Sequence, residues 1–459
     1  MPQLPAAFIT SVEQVTGFRK EPFLAVHASG EQVTSVRFNP AKKALLEGEW
    51  LQQQQQGPLQ QVPWCNEAYY LPQRPMFTFD PLLHGGVYYV QEASSMFLQH
   101  MLKNTVGTQT AGLKVLDLCA APGGKSTLLA SYFTDGLLVT NEVIKSRSGI
   151  LVENMTKWGA ANVVVTNNDP KDFTALEGYF DVIVVDAPCS GSGLFRRDAA
   201  AIEEWSIDNV ALCNQRQQRI LADILPALKP GGWLIYATCS YSAEEDEQIM
   251  DWLMQSFNLH NKAVDVPVEW NVVATQAPQS GATGYRFFPD RVKGEGFFIA
   301  AFQQQDGTEF HGRKKMLPPA GKTETKMAAE WVTPGIPLYY FAQQEHVLAI
   351  AEQWQEEVAL LQKQLYLRKA GVNIGAVKGK DLVPSHELAL SLIHHPNLQK
   401  ITLGPDDALQ YLRRKEFAVN IAGKGWTMAV YQGITLGWMK LLPNRVNNYY
   451  PTEWRILKD

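Results

Sequence analysis

Short apolar runs alternate with helical stretches through the middle of this 459-residue chain, and this alternation restricts the fold more than any other feature. The runs are rich in β-branched residues, and segments with helical periodicity separate them. They cover residues 115–118, 137–140, 163–166, 182–185 and 233–237. Strands that alternate with helices pair in parallel, because each crossover helix returns the chain to the same end of the sheet. The sequence therefore predicts an α/β domain in which helices cover a parallel sheet.

The segments that flank this α/β region differ from it in composition, and a chain of this length is expected to form two or three domains. A glycine-rich aromatic segment at 294–302 is predicted to be the closing strand of the sheet. We predict an N-terminal domain at 1–105, the α/β domain at 106–304, a linker at 305–330 and a C-terminal region at 331–459. Within the C-terminal region, residues 345–369 are predicted to form one helix.

The first predicted strand runs directly into a glycine-containing turn and the start of a helix. The turn consists of Cys119, Ala120, Ala121, Pro122, Gly123, Gly124 and Lys125. Its two glycines permit a close backbone approach, and the free N–H groups at the helix start favour an anionic or polar ligand. A cofactor is therefore expected at this turn.

Two nucleotide-binding fingerprints can be compared with the same turn. Gly124, Lys125 and Ser126 resemble the end of the phosphate-binding GxxxxGK[ST] loop, which leaves a P-loop-like nucleotide hydrolase as an alternative. The first glycine of that loop is replaced by Cys119, however, and the dinucleotide fingerprint GxGxxG is absent. The turn by itself therefore does not identify the cofactor.

Acidic residues follow three of the predicted strands. Glu142 lies 18 residues beyond Gly124, at a strand end where a carboxylate can accept hydrogen bonds from ribose hydroxyls. Asp169 could hold an adenine amino group, or it could simply cap a turn or helix. Asp186 ends the fourth strand. Together with the glycine turn, these acids describe an adenosyl ligand better than a triphosphate.

Two cysteines follow the ends of predicted strands, Cys189 after a proline and Cys239 after a threonine. The chain has five cysteines and no CxxC pair, so neither a disulfide framework nor a zinc site is indicated, and no metal is expected. Cys65 and Cys213 are predicted to be bystanders. The placement of the first two cysteines favours thiol chemistry.

The overall composition limits the compartment and the partners of the chain. No run approaches the ~20 apolar residues that a membrane-spanning helix needs, and residues 1–25 do not resemble a secretory leader, so a reducing cytoplasm is expected. Residues 310–459 contain 19 Lys and Arg against 13 Asp and Glu, although the whole chain has a net charge of -5. Such a basic region favours a polyanionic partner, or it is only a solvated basic face.

Three ordered motifs carry a resemblance to a known family. Residues 117–126, 186–191 and 238–241 look like the motifs of the Nol/Nop/Sun family of S-adenosylmethionine-dependent RNA cytosine-5 methyltransferases, over roughly residues 85–305. The resemblance implies a Rossmann-like catalytic domain with S-adenosyl-L-methionine as its cofactor. It implies a cofactor site formed by residues 119–125, Glu142, Asp169 and Asp186.

The same resemblance implies catalytic roles. Carbon 5 of cytosine is a poor nucleophile, so such an enzyme first adds a thiolate to carbon 6, which makes carbon 5 reactive toward a methyl donor. By resemblance, Cys239 is this nucleophile, Cys189 assists release of the covalent intermediate, and Asp186 lies against the cytosine edge. Lys125 and Arg147 are expected to orient the cofactor or the RNA.

The flanking regions are interpreted by the same resemblance. Residues 371–375 and 423–426 make the C-terminal third similar to the tail of the bacterial ribosomal small-subunit methyltransferase F group. This resemblance implies an α+β, PUA-like RNA-binding region and small-subunit ribosomal RNA as the substrate. Residues 1–105 are expected to lie near the RNA, and the segment around Arg286 and Pro289 resembles a late RNA-proximal motif of the family. Transfer RNA remains an alternative substrate, and a non-catalytic RNA-binding assembly factor remains an alternative function. The sequence names no protein partner and no oligomeric state.

Overall fold

The structure is a computed structural model that describes residues 3–45, 59–312, 315–416, 423–443 and 445–458. Its α-helices are α1 (Ala6–Val12), α2 (Lys20–Ala28), α3 (Pro40–Lys43), α4 (Pro81–His84), α5 (Leu98–Thr105), α6 (Gly124–Tyr132), α7 (Lys145–Trp158), α8 (Ala199–Glu204), α9 (Ile207–Ile224), α10 (Glu247–Ser256), α11 (Lys322–Ala329), α12 (Gln355–Gln364), α13 (His386–Leu390) and α14 (Pro405–Leu412).

The first strands of the chain are β1 (Thr34–Phe38), β2 (Gln60–Gln61), β3 (Ala68–Leu71) and β4 (Tyr88–Val90). The next are β5 (Lys114–Asp117), β6 (Leu137–Asn141), β7 (Val163–Thr166), β8 (Phe180–Asp186), β9 (Leu228–Thr238), β10 (Leu259–Asn261), β11 (Val273–Gln276), β12 (Thr283–Phe287) and β13 (Phe297–Gln304). The last are β14 (Leu338–Gln343), β15 (His346–Ala351), β16 (Leu367–Ala370), β17 (Val372–Lys378), β18 (Asp381–Pro384), β19 (Lys400–Thr402), β20 (Gly425–Tyr431), β21 (Ile434–Leu442) and β22 (Arg445–Asn448).

The large central sheet has the strand order β11-β12-β13-β9-β8-β5-β6-β7-β16, and β10 pairs with β13. The five strands from β9 to β7 are parallel, and the strands on either side of them are antiparallel. Each of the five predicted runs forms one of the parallel strands, and the predicted closing strand is β13. The predicted α/β fold with a parallel sheet is therefore confirmed.

Apolar residues of the parallel strands are buried on both faces of the sheet. One hydrophobic cluster contains Ile183 and packs against α9 and α10, and the other contains Val184 and packs against α5 and α6. Strands covered on both faces need continuous rather than alternating apolar runs, which is why the three valines that begin β7 are all buried. The two layers hold the carboxyl ends of the parallel strands at one edge.

The N-terminal strands form a separate antiparallel sheet with the order β2-β3-β1-β4. In the C-terminal part, β14-β15-β17-β18 and β19-β20-β21-β22 form two four-stranded sheets, of which only the β19–β20 pair is parallel. Together with α11 to α14, these sheets give the C-terminal part the α+β architecture that was predicted. Among the described helices, none combines the length and the apolar character that crossing a bilayer requires.

The prediction of one helix over 345–369 is wrong. This segment contains strand β15, helix α12 and strand β16. β15 pairs with β14 and β17, and β16 pairs with β7 at the edge of the central sheet. Pairing with the edge of a sheet satisfies backbone N–H and C=O groups through a strand that lies far away in the sequence. These hydrogen bonds override the local helix propensity here.

Part of the predicted linker at 305–330 is packed structure. Its last residues form α11, and Ala328 within that helix is fully buried. The backbone N–H of Ala320 donates to the carbonyl of Tyr340 in β14 at 3.0 Å. The boundaries at residues 105, 304 and 330 stay predictions.

Candidate active site

The predicted site residues lie on loops that leave the carboxyl ends of adjacent parallel strands. The register places the ends of β5, β6, β7, β8 and β9 side by side, and the strand order reverses between β8 and β5. In open α/β sheets, ligands bind in the crevice at such a reversal point. The residues brought to this edge are Cys119, Ala120, Ala121, Pro122, Gly123, Gly124, Lys125, Glu142, Asp169, Asp186, Cys189 and Cys239.

The glycine turn has a conformation and a polarity suited to a ligand. Gly123 adopts the left-handed region with φ of 117°, which a glycine allows without steric cost, and α6 begins at the next residue. Below the turn, Asp117 is fully buried, and its Oδ2 accepts the hydroxyl of Ser126 at 2.6 Å. Its Oδ1 accepts no hydrogen bond from any residue that the structure describes. Burial raises the pKa of Asp117 to about 7.

Glu142 lies at the end of β6 with its side chain almost fully buried. Its Oε1 accepts the backbone N–H of Ile144 at 2.8 Å, and its Oε2 lies 3.6 Å from Nη1 of Arg147. The same guanidinium donates to the carbonyl of Ala121 at 2.6 Å. Arg147 therefore joins the acidic strand end to the glycine turn, and its role in orienting a ligand stays a prediction.

Asp169 begins a 3-10 helix as its N-terminal cap. Its Oδ1 accepts the backbone N–H of Lys171 at 3.2 Å, and the same oxygen lies 3.4 Å from Nη1 of Arg219. The capping alternative is therefore realised, while contact with an adenine stays a prediction. The nearby Asn141, which the sequence interpretation missed, is fully buried and donates to the carbonyls of Leu118 and Asn168 at 3.1 and 3.0 Å. The signal for it was a polar residue at the end of β6, after three apolar residues and a threonine.

The charges at this edge fit S-adenosylmethionine better than a nucleoside triphosphate. After burial, the carboxylates of Asp186 and Glu142 contribute to the raised pKa of Asp117, which shows that the three groups interact. A cluster of carboxylates repels a polyanion and attracts a cation, and S-adenosylmethionine carries a sulfonium and an ammonium group. Residues of the glycine turn, Glu142 and the unpaired oxygen of Asp117 are suited to hold it.

The two thiols predicted to react lie next to each other. The Sγ atoms of Cys189 and Cys239 are 3.1 Å apart, on loops that leave the adjacent strands β8 and β9. The backbone N–H of Gly193 donates to the carbonyl of Cys239 at 2.8 Å, and a Cβ atom at this glycine would lie 2.7 Å from the same carbonyl oxygen. The hydrogen bond to Cys239, followed by burial, raises the pKa of Cys189 well above its ordinary value.

Lys125 connects the cofactor turn with the thiol loops. Its Nζ lies 2.7 Å from Oδ2 of Asp186. Burial alone would lower the pKa of Lys125, but Asp186 and then Asp117 and Cys239 raise it above its ordinary value. Lys125 therefore remains a cation that pairs with Asp186 and contributes to the electrostatics around Cys239.

Two buried residues that the sequence interpretation missed support the site. Arg37 of β1 donates from Nη2 to Oγ1 of Thr127 at 2.6 Å and to the carbonyl of Gly124 at 3.3 Å. Glu245, in the loop after β9, accepts hydrogen bonds from Ser190 and Ser240, which directly follow the two cysteines. Neither residue stands in a local motif that points to the site, since both act through contacts between distant segments.

Arg286, Cys65 and Cys213 are buried outside the crevice. Arg286 is buried, with Nη1 2.9 Å from Oδ2 of Asp246, and it also pairs with Glu247. Its buried guanidinium supports the loop after β9, and the RNA-proximal interpretation of the segment stays a prediction. Cys65 and Cys213 are buried, and burial raises the pKa of each to about 11, in agreement with bystander roles. Among the ranges described, no three His, Cys, Asp or Glu side chains converge as a metal site would require.

The fold and the crevice define a class of protein, the S-adenosylmethionine-dependent methyltransferases. Residues 106–303 match the family described as 16S rRNA methyltransferase RsmB/F. Residues 4–93 match the N-terminal domain of 16S rRNA methyltransferase RsmF, and residues 398–456 match the methyltransferase RsmF PUA domain. The chain belongs to the ribosomal RNA small subunit methyltransferase F family.

Individual relatives cover nearly the whole chain. The ribosomal RNA small subunit methyltransferase F of Aeromonas hydrophila is 32% identical over 86% of this chain and 85% of the relative. That of Psychromonas ingrahamii is 30% identical over 98% of this chain and 97% of the relative.

Two solved structures from Pyrococcus horikoshii cover about two thirds of the chain and share the fold. A methyltransferase homologue has a TM-score of 0.53 at 27% identity and covers 65% of this chain and 94% of its own. NSun6 with SFG has a TM-score of 0.50 at 17% identity and covers 66% of this chain and 98% of its own.

Proposed function

We propose that this enzyme methylates carbon 5 of a cytosine in small-subunit ribosomal RNA through a covalent bond between Cys239 and carbon 6. The observation that carries the proposal is the pair of sulfur atoms 3.1 Å apart beside the cofactor turn. One thiol suffices for addition to the ring, and a second is needed only if the adduct must also be resolved.

In the first step, Cys239 forms the bond to the base. Its thiolate attacks carbon 6 of cytosine, and the electron pair of the carbon 5–carbon 6 double bond becomes available at carbon 5. Asp186 is expected to hold the edge of the base, and the cationic Nζ of Lys125 lies 2.7 Å from its Oδ2. The cofactor supplies an electrophilic methyl group to carbon 5.

In the second step, Cys189 releases the product. The hydrogen bond to Cys239 is the largest cause of its raised pKa, and this cause disappears once the sulfur of Cys239 is bonded to carbon. Cys189 can then lose its own proton to water and accept the proton of carbon 5. The electrons of that C–H bond restore the double bond as the bond from carbon 6 to sulfur breaks and its electron pair returns to Cys239.

Ribosomal RNA is the proposed substrate for three reasons. The relatives are named as ribosomal RNA small subunit methyltransferases, the C-terminal residues match a PUA domain, and residues 310–459 have an excess of basic side chains. The target cytosine in structured RNA must leave its stack, which costs a few kcal/mol that additional RNA contacts can offset. A cytoplasmic location is part of the proposal, because a reducing compartment keeps the two cysteines as thiols.

The function is tested by exchanging each cysteine for serine and mapping 5-methylcytosine by bisulfite sequencing of total RNA from a deletion strain. The wild-type gene should restore one small-subunit ribosomal position, whereas the Cys239→Ser gene should not. Purified Cys189→Ser protein should accumulate as a covalent complex with RNA, and the double variant should not. Restoration of a transfer RNA position would favour the alternative substrate. Equal methylation by wild type and Cys239→Ser would contradict the mechanism.

A further inference from the structure

Glu245 lies behind the two reactive thiols, in the loop between β9 and α10. We propose that its carboxylate is a positioning residue that sets the spacing between the sulfur atoms of Cys189 and Cys239. The proposal rests on the proposed function in one respect, since it assumes that both thiols take part in methyl transfer. In this role Glu245 holds the loops that carry the two thiols and does not contact the substrate.

One carboxylate contacts both thiol loops. Oε2 of Glu245 accepts the hydroxyl of Ser190 at 2.5 Å and the hydroxyl of Ser240 at 2.7 Å. Oε1 accepts the backbone N–H of Ser190 at 2.8 Å and Nε2 of Gln217 at 3.3 Å. Because each serine directly follows one of the cysteines, the carboxylate links the two loops one residue from each sulfur.

The carboxylate is itself fixed in place. The backbone carbonyl of Glu245 accepts the hydroxyl of Tyr236 at 2.6 Å, and the same hydroxyl lies 3.1 Å from Oε1 of Gln217. Gln217 also donates to the carbonyl of Pro188 at 3.0 Å, directly before Cys189. Glu245 and Gln217 are both fully buried. The link is therefore anchored to β9 and α9.

Four donors point at the two oxygens of this carboxylate. Oε1 accepts from two N–H groups, and Oε2 is an acceptor shared by two serine hydroxyls, which an amide nitrogen at that position would remove. Burial raises the pKa of Glu245 and these hydrogen bonds lower it, with a net rise. A buried charge is costly, and well-packed apolar side chains would hold two loops together at least as stably. The arrangement is therefore better suited to fixing a geometry than to adding stability.

The test compares Glu245→Gln with Glu244→Gln, which makes the same change of charge one residue away. Each purified protein is treated with glutathione disulfide, without RNA. One protein thiolate attacks the reagent and releases glutathione, and the second attacks the resulting mixed disulfide and releases another. The two protein thiols are thereby oxidised to a disulfide, and the reagent is reduced to two glutathione molecules. Peptide mapping measures the rate at which the Cys189–Cys239 disulfide forms.

We expect Glu244→Gln to form this disulfide at the wild-type rate and Glu245→Gln to form it at least about tenfold more slowly, because closure depends on the alignment of the sulfur atoms. In methylation assays, Glu245→Gln should lower kcat by about 10- to 100-fold and leave KM for RNA within about twofold of wild type. A residue needed only for folding would change the amount of active enzyme without changing the exchange rate of the folded fraction.

The outcomes separate the inference from the proposed function. An unchanged rate of disulfide formation in folded Glu245→Gln would overturn the positioning role, even if methylation were lost. Slower disulfide formation together with full methylation by Cys239→Ser would leave the positioning role standing and overturn the mechanism. If Glu245→Gln does not fold, the variants Ser190→Ala and Ser240→Ala replace it, since each removes one hydroxyl contact to the carboxylate. A wild-type rate of Cys189–Cys239 disulfide formation and a wild-type kcat in both variants would overturn the inference.

Discussion

At the scale of single residues, the crevice depends on buried polar groups whose charge is set by their surroundings. Asp117 has a raised pKa because it is desolvated, and one of its oxygens has no hydrogen-bond partner among the described residues. Cys189 is held as a thiol by its hydrogen bond to Cys239. Such strongly shifted groups in a cleft are typical of functional sites. We expect Asp117 to lose its proton when a cationic ligand binds, and Cys189 to lose its proton once Cys239 is bonded to the base.

The affinity for S-adenosylmethionine should increase with pH through the neutral range. With a pKa of about 7, Asp117 is protonated in the ligand-free protein at lower pH. A cationic ligand binds the ionised carboxylate more tightly, so binding must first expel a proton, and affinity should rise by up to about tenfold per pH unit below the pKa. Calorimetric titrations from about pH 6 to about pH 8 measure this slope. Asp117→Asn, which can still accept from Ser126, should flatten it, and an equal slope in both proteins would contradict the prediction.

At the scale of elements, strand β1 of the N-terminal sheet contributes directly to the cofactor turn. The guanidinium of Arg37 contacts Gly124 and Thr127 at the start of α6, donates to Oε1 of Gln91 at 2.9 Å, and lies 4.7 Å from the ring centroid of Trp158. It is buried, and burial lowers its pKa to about 10, so it remains charged. The turn is thus held in position by a segment that precedes the α/β domain.

Replacement of Arg37 by methionine should therefore weaken cofactor binding. The change keeps an unbranched, largely apolar side chain in the buried site but leaves Gln91 and Thr127 without their donor, which should cost about 1–3 kcal/mol in the free energy of unfolding. We expect at least about tenfold weaker binding of S-adenosylmethionine, measured by calorimetry together with chemical denaturation. Arg74→Met is the control, since Arg74 is exposed on the same N-terminal region. Wild-type affinity in a folded Arg37→Met protein would contradict this role.

At the scale of the whole molecule, the N-terminal and C-terminal parts pack against the same end of α7. Nζ of Lys42 donates to the carbonyl of Lys157 in the last turn of α7 at 2.5 Å, and the backbone N–H of Leu392 donates to the carbonyl of Gly159, directly after this helix, at 3.1 Å. β16 extends the central sheet from the C-terminal side. The parts that flank the α/β domain are therefore tied to it, and RNA held by them would be held in a fixed relation to the crevice.

The C-terminal basic surface should affect RNA binding without affecting the cofactor. Lys400, Lys424 and Arg445 are exposed on or beside the last sheet. Their joint replacement by glutamine should weaken binding of small-subunit RNA and lower the slope of log Kd against log salt by about 0.7 for each phosphate that the variant no longer neutralises. Affinity for S-adenosylmethionine should stay unchanged.

The control for that experiment replaces three exposed basic side chains outside residues 310–459 by glutamine, at Lys103, Arg216 and Lys262. Filter binding at several salt concentrations compares the two triple variants at equal net charge. If both lose RNA affinity and salt dependence to the same extent, the effect is one of net charge, and the C-terminal surface has no particular role.

The sequence by itself determined the parallel sheet, the glycine turn and the positions of the two thiols at strand ends. These features depend on local signals, namely apolar periodicity, turn residues and motifs of adjacent residues. Only the tertiary structure decided that β16 joins the central sheet, that Arg37 supports the cofactor turn, and that Glu245 links the loops of the two thiols. Each of these depends on contacts between residues far apart in the chain. Local propensity does not encode such contacts, because an edge strand or a buried charge is stabilised by whichever distant partner the fold brings to it.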